Sequence, residues 1–328
     1  MLNMEQTKLH SLNQLDRKIL QELDINSKNP TSKLAKKLNR SRQTIEYRIN
    51  SLKKREIIES FNTAINTYKM GYKLYKFYIK LRNIPDEKDK FLEYIRNSGK
   101  IYWFGICSGK YDIILAVYSK TDSNFLNIRN ELISNFKNII IDYDMDILVH
   151  TKQYAKMYFT NQITESTYFG GEVVDNKLDK LDHRILEKIV NNSTISNYEL
   201  SKQINTTPIT VRNKIKKLEN TGIIIQYRIG VNLSKLDLEL YKAIISLDKY
   251  NDKIEKEILE YISNIPNISY YIKNIQRLEL EFVVENFQQY YDIIENIKKK
   301  FPYVIKSVDV VLMLTDEWTP GFKNLLSI

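Results

Sequence analysis

The chain contains the same pattern twice, separated by a constant 166 residues. Residues 12–20 return as residues 178–186, and the offset then continues without a gap, so that Ile45 corresponds to Val211. A period of this length that occurs only twice indicates two copies of a whole structural unit, because solenoid repeats are about 20–50 residues long and more numerous. We therefore predict two similar halves, and a function assigned to one half has to be tested against the other.

Composition limits the classes of protein to which the chain can belong. Its 328 residues are enough for several units that each bury a core, and no stretch approaches the roughly 18 consecutive apolar residues of a membrane span. Residues 1–6 lack the basic and apolar regions of a secretion signal. Cys107 is the single cysteine, which fits a reducing compartment and excludes a disulfide framework. We therefore expect a cytoplasmic protein that does not enter the membrane.

Positive charge is concentrated in two short windows. The net charge of the whole chain is +10. Residues 28–55 hold ten basic side chains against Glu46 alone, and the equal-length window 201–228 holds six against Glu219 alone. The rest of the chain is therefore slightly acidic. Cationic side chains gathered at equivalent places in both halves indicate that each half meets a polyanion there.

Each half opens with three helical segments. Apolar residues at helical spacing predict a first helix over residues 12–26 and a short second helix over 31–38. A tight turn then leads to a third helix that begins after the N-cap residue Ser41, or after Thr207 in the second half, where Pro208 takes the first helical position. Alternating residues after the third helix predict a short strand or wing. Together these elements predict a winged helix-turn-helix in each half.

The remainder of each half has a βαββαβ order, which is that of a ferredoxin-like sandwich. Residues 152–176 show no clear periodicity and contain two adjacent glycines, so we interpret them as a linker. The predicted fold class is α+β, with two tandem copies of a winged helix-turn-helix followed by a ferredoxin-like βαββαβ domain. The predicted domains are residues 1–68, 69–152, 177–234 and 235–328, with the linker at 153–176.

The third helix of each half carries the residues expected to contact DNA. Ile45, Ile49 and Leu52 recur at helical spacing and should hold its rear face against the domain core, so that the opposite face can enter the major groove. Basic side chains at the end of the helix are expected to contact phosphates, which positions a domain without reading sequence. In the first half the predicted contacts are Arg40, Ser41, Arg42, Gln43, Thr44, Tyr47, Arg48, Lys53, Lys54 and Arg55. In the second half they are Thr207, Thr210, Arg212, Asn213, Lys214, Lys216 and Lys217.

A solvated basic helix on an ordinary globular domain is the competing interpretation of each charge run. Two runs on the third helix of the same three-helix pattern favour DNA binding instead. The predicted reading faces differ, because Gln43 and Tyr47 correspond to Ile209 and Asn213. Two such helices would read different sequences, unless the second copy has a mainly electrostatic or structural role.

Several motifs occur in a fixed order in both halves. They are Leu-Asp-x-x-Asp-x-x-Ile-Leu at residues 178–186, Ser-x-x-Thr-Ile-x-x-Arg-Ile-x-x-Leu at residues 41–52, paired isoleucines before each wing, and the βαββαβ order. This set resembles the Lrp/AsnC (feast/famine) family of transcriptional regulators, over nearly the whole chain and in a tandem form similar to archaeal members. Asn13 is a departure, since the family favours Asp there. The resemblance implies a regulator whose partner is double-stranded DNA, with ferredoxin-like domains that form a homodimer or an intramolecular pseudo-dimer.

The resemblance also implies a site for a small effector such as an amino acid. In the family, effectors bind near a Gly-x-x-Asp turn between the second and third strands of the ferredoxin-like domain. Gly109, Tyr111 and Asp112 lie at the matching turn, where a glycine permits a positive φ and the carboxylate can meet a ligand amine. A simple β-hairpin turn is the alternative interpretation. Residues 276–279 of the second half lack the glycine, which makes effector binding there doubtful.

No catalytic, metal or cofactor site is predicted. His10, His150 and His183 are scattered, with His183 expected at the surface, and one cysteine does not complete a recognised metal-ligand spacing. Residues 142, 144 and 146 are aspartates that alternate along one strand. A solvated sheet face or a pairing edge explains them better than a catalytic carboxylate pair.

One enzyme alternative remains open, because sirohaem decarboxylase-like enzymes of haem biosynthesis resemble this architecture and occur as fusions. Such an activity would require His and Arg side chains that converge inside the ferredoxin-like domain, where the chain offers only His150. The two basic third helices would have no purpose in that enzyme, so we expect a DNA-binding protein and not an enzyme.

Overall fold

The computed structural model describes residues 12–248 and 251–326, so His10 lies outside the described residues. The first half begins with helices α1 (Gln14–Ile25), α2 (Thr31–Lys37) and α3 (Arg42–Lys54), followed by strand β1 (Ile58–Ile65). Its ferredoxin-like part comprises β2 (Lys73–Leu81), α4 (Pro85–Asn97), β3 (Ile101–Gly109), β4 (Ile113–Ser119), α5 (Asp122–Asn135) and β5 (Ile140–Gln153). Strand β6 (Thr167–Gly170) leads to the second half.

The second half repeats this order and confirms the predicted α+β fold class. It contains α6 (Lys180–Ile189), α7 (Asn197–Gln203), α8 (Pro208–Asn220) and β7 (Ile224–Val231). The second ferredoxin-like part comprises β8 (Glu239–Leu247), α9 (Asp252–Ile262), β9 (Ile268–Asn274), β10 (Leu278–Val284), α10 (Phe287–Lys300) and β11 (Ile305–Met313). A short strand β12 (Glu317–Trp318) and helix α11 (Pro320–Leu326) follow. None of the helices in the described part is long and apolar enough to cross a membrane.

Side-chain caps fix where the helices of the winged domains begin. The Asn13 side chain accepts a hydrogen bond from the backbone N–H of Asp16 at 2.9 Å. Ser41 and Thr207 cap α3 and α8 by accepting from backbone N–H groups at 3.1 Å. Asp179 begins α6 with a reciprocal capping box. Because a cap satisfies a backbone donor that has no partner inside the helix, Ser41 and Thr207 confirm the predicted starts of α3 and α8.

The two wing strands pair with each other. Strand β1 runs antiparallel to β7 and places Phe61 opposite Ile229. Next to this two-stranded ribbon the hydroxyls of Ser27 and Ser193, which are equivalent residues of the two halves, lie 2.7 Å apart. Each of these serines also donates its backbone N–H to the ribbon, at 2.9 Å and 2.8 Å respectively. An approximate two-fold axis therefore passes between the halves, and the ribbon joins the two winged domains.

The two ferredoxin-like sheets also pair within the chain. Their strand orders are β5-β2-β4-β3 and β11-β8-β10-β9. Strand β5 pairs antiparallel with β9, and β11 pairs antiparallel with β3. Both outer strands of each sheet are thus joined to the other half, so the eight strands form a closed hydrogen-bonded ring. The structure shows an intramolecular pseudo-dimer, and the ring leaves neither sheet with a wholly unpaired outer strand.

A buried charge cluster lies between the two sheets. Lys76 and Lys242 occupy equivalent positions, and their Nζ atoms lie 2.6 Å and 2.7 Å from the Glu279 carboxylate. Glu281 lies 2.7 Å from Lys242. Burial pushes the pKa of Glu279 upward, but attraction to Lys242 and Lys76 outweighs it and holds the pKa below its usual range. Both carboxylates come from β10, whereas β4 has Ile114 and an alanine at the matching register.

The segment interpreted as a linker is part of the core. Its strand β6 pairs with β5, where Thr151 lies opposite Phe169. The aromatic residues Tyr154, Tyr158 and Phe159 are buried against both halves. Periodicity does not reveal this packing, because irregular segments lack a repeating apolar spacing.

The carboxyl-terminal helix α11 was not predicted, and it changes the environment of His183. Phe322 and Leu326 of α11 are buried in the core that contains α6. His183 is consequently 9% exposed, and its Nδ1 lies 3.1 Å from the backbone oxygen of Leu326. The prediction that His183 lies at the surface is wrong, because a long-range contact covers it.

Candidate nucleic-acid interface

One face of helix α3 packs on the core of its domain, and the opposite face is exposed. Ile45 and Leu52 are buried at 0% and 1% exposure, so the rear of the helix is part of the domain core. Arg42, Gln43 and Tyr47 are exposed on the other side, and 69% of Tyr47 is accessible. The structure therefore supplies a rigid helix with an accessible face, which is the arrangement needed for entry into a major groove.

Helix α8 has the same design with different side chains. Val211, Ile215 and Leu218 form its buried face. Ile209 is 72% exposed, and Asn213 is also exposed. The third helix of each half thus presents one large exposed apolar side chain, at position 47 in α3 and at position 209 in α8. Those two positions are not equivalent, so the two faces are chemically distinct.

An ion pair braces each third helix against the first helix of its domain. Arg48 Nη1 lies 3.7 Å from the buried carboxylate of Asp16, and Lys214 Nζ lies 3.1 Å from that of Asp182. The four residues occupy equivalent positions in the two halves. Lys214 also donates to Asp179, and this hydrogen bond is the main reason why the pKa of Asp179 falls to about 2. Arg48 and Lys214, which were predicted only as DNA contacts, therefore also hold the third helix against the first.

The sequence itself contains a sign of these two ion pairs. A carboxylate at position 16 or 182 and a basic residue 32 positions later recur in both halves. A charge pair that is kept in both copies of a repeat points to an internal contact as well as to an external one. Only 20% of the Lys214 side chain is exposed, and its Nζ contacts Asp179 and Asp182.

The remaining predicted cations face outward in the described structure. Lys217 keeps a 51% exposed side chain although its Nζ lies 3.4 Å from Asp182. Arg42 lies 2.6 Å from Glu46 on the open face of α3. Lys53 stands over the Phe61 ring at 4.6 Å from the ring centroid. The predicted basic residues classed as exposed are Arg40, Arg42, Lys53, Lys54, Arg55, Arg212, Lys216 and Lys217.

The predicted effector turn lies at the seam between the halves. Gly109 has φ +123°, and a Cβ there would lie 2.5 Å from the backbone oxygen of Val310, so close approach of β11 requires a glycine. Tyr111 donates to Asp144 at 2.5 Å and accepts from Arg277 of the other half at 3.0 Å. These two contacts give Tyr111 a structural role that sequence analysis did not anticipate.

The carboxylate of Asp112 is also engaged within the fold. Its Oδ2 accepts from the backbone N–H of Leu81 at 2.8 Å, and its Oδ1 lies 3.2 Å from Lys80 Nζ. Asp144 and Asp146 face the second half, where Asp144 pairs with Arg277 at 3.0 Å. The interpretation of these aspartates as part of a pairing edge agrees with this geometry.

A cavity of about 1050 Å³ lies between the two sheets and the ribbon of β1 and β7. Residues from both halves line it, including Lys76, Trp103, Arg228, Tyr270 and Glu281. Neither His150 nor His183 is among the lining residues. Within residues 12–248 and 251–326, no group of three or more His, Cys, Asp or Glu side chains is arranged to hold a metal ion.

Comparison with known proteins identifies relatives of the winged domains. A family model described as winged helix-turn-helix DNA-binding matches residues 12–59 and again 178–225. The HTH-type transcriptional regulator LrpC of Bacillus subtilis is 34% identical over 94 residues, which are 29% of this chain and 64% of that protein. An uncharacterized HTH-type transcriptional regulator of Pyrococcus abyssi is 34% identical over 109 residues, 32% of this chain and 72% of that protein. The matches to the first four curated relatives span between 53% and 64% of their lengths.

A solved structure with the same overall arrangement is that of the siroheme decarboxylase NirDL. It covers 96% of this chain and 97% of its own, with a TM-score of 0.63 and 13% sequence identity. At so low an identity the likeness concerns the fold alone, since one fold hosts unrelated functions.

Proposed function

Because the chain belongs to the Lrp/AsnC family of HTH-type transcriptional regulators, we propose that it regulates transcription by binding double-stranded DNA with α3 and α8. One observation carries this proposal: each third helix has a buried apolar rear and an exposed face of basic, polar and large side chains. In this proposal the exposed side chains at the start of each helix contact base edges, and the basic residues at its end contact phosphates.

The two helices should read different half-sites. Tyr47 on α3 and Ile209 on α8 offer apolar surface that suits the methyl group of thymine, but at different turns of their helices. Gln43 suits adenine on the first face, and Arg212 with Asn213 suits guanine and adenine on the second. Since the β1–β7 ribbon joins both domains in one chain, the proposed target is a bipartite site without internal symmetry.

The test begins with duplexes selected from a randomised pool and titrated by fluorescence anisotropy at several salt concentrations. Replacing Lys53, Lys54 and Arg55 together by Ala should weaken binding and lower the slope of log affinity against log salt by about 2.7, because each lost phosphate contact contributes about 0.9. The matched control replaces Lys298, Lys299 and Lys300, a basic triplet of equal length at the end of α10.

The control triplet removes the same charge from a ferredoxin-like helix and should leave the salt slope unchanged. Equal effects of the two triple variants would mean that binding is a general attraction to the basic protein. Absence of any binding at low salt would contradict the proposal altogether.

The decarboxylase alternative is favoured only by the shared fold. The cavity cations Lys76, Lys242 and Arg228 each contact a carboxylate already, at 2.6 Å, 2.7 Å and 3.1 Å. His150, which that activity would require, lies 3.0 Å from Glu255 and is not part of the cavity lining. Incubation with a sirohaem-type tetrapyrrole followed by mass spectrometry tests this alternative, and a decarboxylated product would replace the regulator proposal.

Response to a small effector through Gly109, Tyr111 and Asp112 remains part of the proposal. Gly109 lies against Val310 and Tyr111 accepts a hydrogen bond from Arg277, both in the other half, so an effector there would act on the pairing of the two sheets. Association of whole chains into a homodimer is likewise proposed and would use surfaces outside the closed ring of strands.

A further inference from the structure

The accessible face of each third helix is a stripe of four side chains. Residues that are three and four positions apart share one face of a helix, so these four lie together, opposite the buried apolar residues. On α3 and α8 respectively they are Gln43, Glu46, Tyr47 and Asn50, and Ile209, Arg212, Asn213 and Lys216. In the proposed complex this stripe faces the duplex.

One position of the stripe carries opposite charges in the two halves. Glu46 and Arg212 are equivalent residues, since they are separated by the 166-residue offset. The Glu46 side chain is 41% exposed, and Arg212 is also exposed. Equivalent residues of two copies of one domain meet equivalent steps of a duplex. A reversed charge at this position therefore changes which base the helix can accept.

The contact that Glu46 makes does little for the stability of its helix. Its Oε1 accepts a hydrogen bond from Arg42 Nε at 2.6 Å. Arg42 is the first residue of α3, where the positive end of the helix dipole disfavours a cation, and a pair with the base ahead of the acid is the weaker order. The pair instead holds the Glu46 carboxylate on the accessible face.

Arg212 has no such restraint. Pro208 occupies the position that matches Arg42, so the second half lacks that pair. Asp182, the buried carboxylate that α8 contacts, lies 3.1 Å from Lys214. Within the described part of the chain no carboxylate forms an ion pair with Arg212, and its guanidinium group is available to an external acceptor.

The two side chains suit different bases. In the major groove, cytosine presents the donor N4 and guanine presents the acceptors O6 and N7. The carboxylate of Glu46 only accepts hydrogen bonds, whereas the guanidinium of Arg212 only donates them. At this position the first domain therefore matches cytosine, and the second domain matches guanine.

The approximate two-fold axis between the halves turns this difference into a rule about the target. Identical helices related by such an axis contact matching steps on opposite strands, so their target is a palindrome. Cytosine opposite Glu46 on one strand and guanine opposite Arg212 on the other strand break that symmetry. The first strand then carries cytosine at both steps, instead of cytosine at one and guanine at the other.

We propose that Glu46 and Arg212 are a specificity-determining pair, and that the target carries cytosine at both matching steps of one strand. This inference rests on the proposed function and adds to it the base that distinguishes the two half-sites.

The experiment is fluorescence anisotropy of the full chain with a panel in which each base pair of the selected duplex is reversed in turn. Reversal of either of the two matching steps should weaken wild-type binding by about tenfold or more. Glu46→Arg should reverse the preference at the first step only, and Arg212→Glu at the second step only. Each single variant should therefore prefer a palindromic pair of steps.

Two control variants make the same changes in net charge far from the third helices. Glu93→Arg lies on α4 and Lys299→Glu on α10, and both residues are exposed. They should change the affinity for all duplexes of the panel alike and leave every base preference as in the wild type.

A wild type that prefers cytosine at one step and guanine at the matching step of the same strand would overturn the proposal. Glu46→Arg and Arg212→Glu proteins that bind DNA with unchanged base preference would overturn it as well. Failure of the wild type to bind any duplex is a different outcome, because it would contradict the proposed function itself and this inference with it.

Discussion

Glu279 is the residue that joins the buried charge cluster between the two sheets. Its carboxylate contacts Lys76 and Lys242, and it accepts a hydrogen bond from Asn274 Nδ2 at 2.7 Å. Glu279 is fully buried, and Lys76 and Lys242 are nearly so. Removing one partner from such a group leaves buried charge without compensation, which costs far more than the loss of a surface ion pair.

We expect Glu279→Gln to lower the free energy of unfolding by about 3–5 kcal/mol, because two lysines then lose their shared carboxylate. Urea denaturation measures this change. The control Glu87→Gln removes a surface pair with Lys90 and should cost less than about 1 kcal/mol. Equal effects of the two variants would contradict the buried role of Glu279.

The stability difference between the wild type and Glu279→Gln should depend on pH. The pKa of Glu279 is lowered in the folded protein, so its stabilisation is fully present above its unfolded pKa of about 4.3 and is lost as pH falls toward the folded value. The difference in unfolding free energy between wild type and Glu279→Gln should therefore shrink as pH is lowered from 6 to about 3. A difference that stays constant over this range would contradict the assignment.

Among the secondary-structure elements, helix α8 carries two lysines with different environments. One forms ion pairs within the protein, and the other is exposed. Lys214 contacts Asp179 and Asp182, whereas Lys216 is exposed. The two residues have the same charge and lie on the same helix, but only the first is tied to α6. Each is therefore the natural control for the other.

We predict that Lys216→Ala weakens DNA binding and lowers the salt slope by about 0.9, with unchanged stability. Lys214→Ala should instead lower the free energy of unfolding by about 1–3 kcal/mol, since buried Asp182 loses its nearer cation. Anisotropy titrations and urea denaturation of both variants measure the two effects. The reverse pattern would show that Lys214 contacts DNA.

Local signals in the sequence were enough to place the elements. Ser41 and Thr207 marked the starts of α3 and α8 because caps act within four residues. Apolar spacing likewise identified the rear of each third helix. The pairing of β1 with β7 and the cover that α11 gives to His183 were not predictable, because those contacts join residues far apart in sequence.

The candidate site was predictable to a similar extent. The exposure of Tyr47 and Ile209 followed from helical periodicity. Helical periodicity did not give the partners of Arg48 and Lys214, because a basic residue at the surface of a helix can turn outward or inward. The charge pair kept in both halves is the sequence feature that indicates them. The alignment of Tyr111 with Asp144 and Arg277 depends on how the two sheets meet, which local sequence does not encode.

At the scale of the whole molecule, the two halves are complementary as well as similar. The buried lysines come one from each half, and the carboxylates that contact them, buried Glu279 and half-buried Glu281, both come from the second. Two first halves would bury two lysines without partners, and two second halves would bury excess carboxylates. Burial of unpaired charge is costly, so the charge cluster favours pairing of unlike halves, as found within one chain.

In the proposed complex one chain inserts two different third helices, α3 and α8, into one duplex. The most direct measurement is hydroxyl-radical footprinting of the selected duplex at one chain per duplex, with wild type, Tyr47→Ala and Ile209→Ala. We predict two separate protected windows, with Tyr47→Ala weakening base preference in one window and Ile209→Ala in the other. A single protected window, or loss of preference at the same bases in both variants, would contradict the claim.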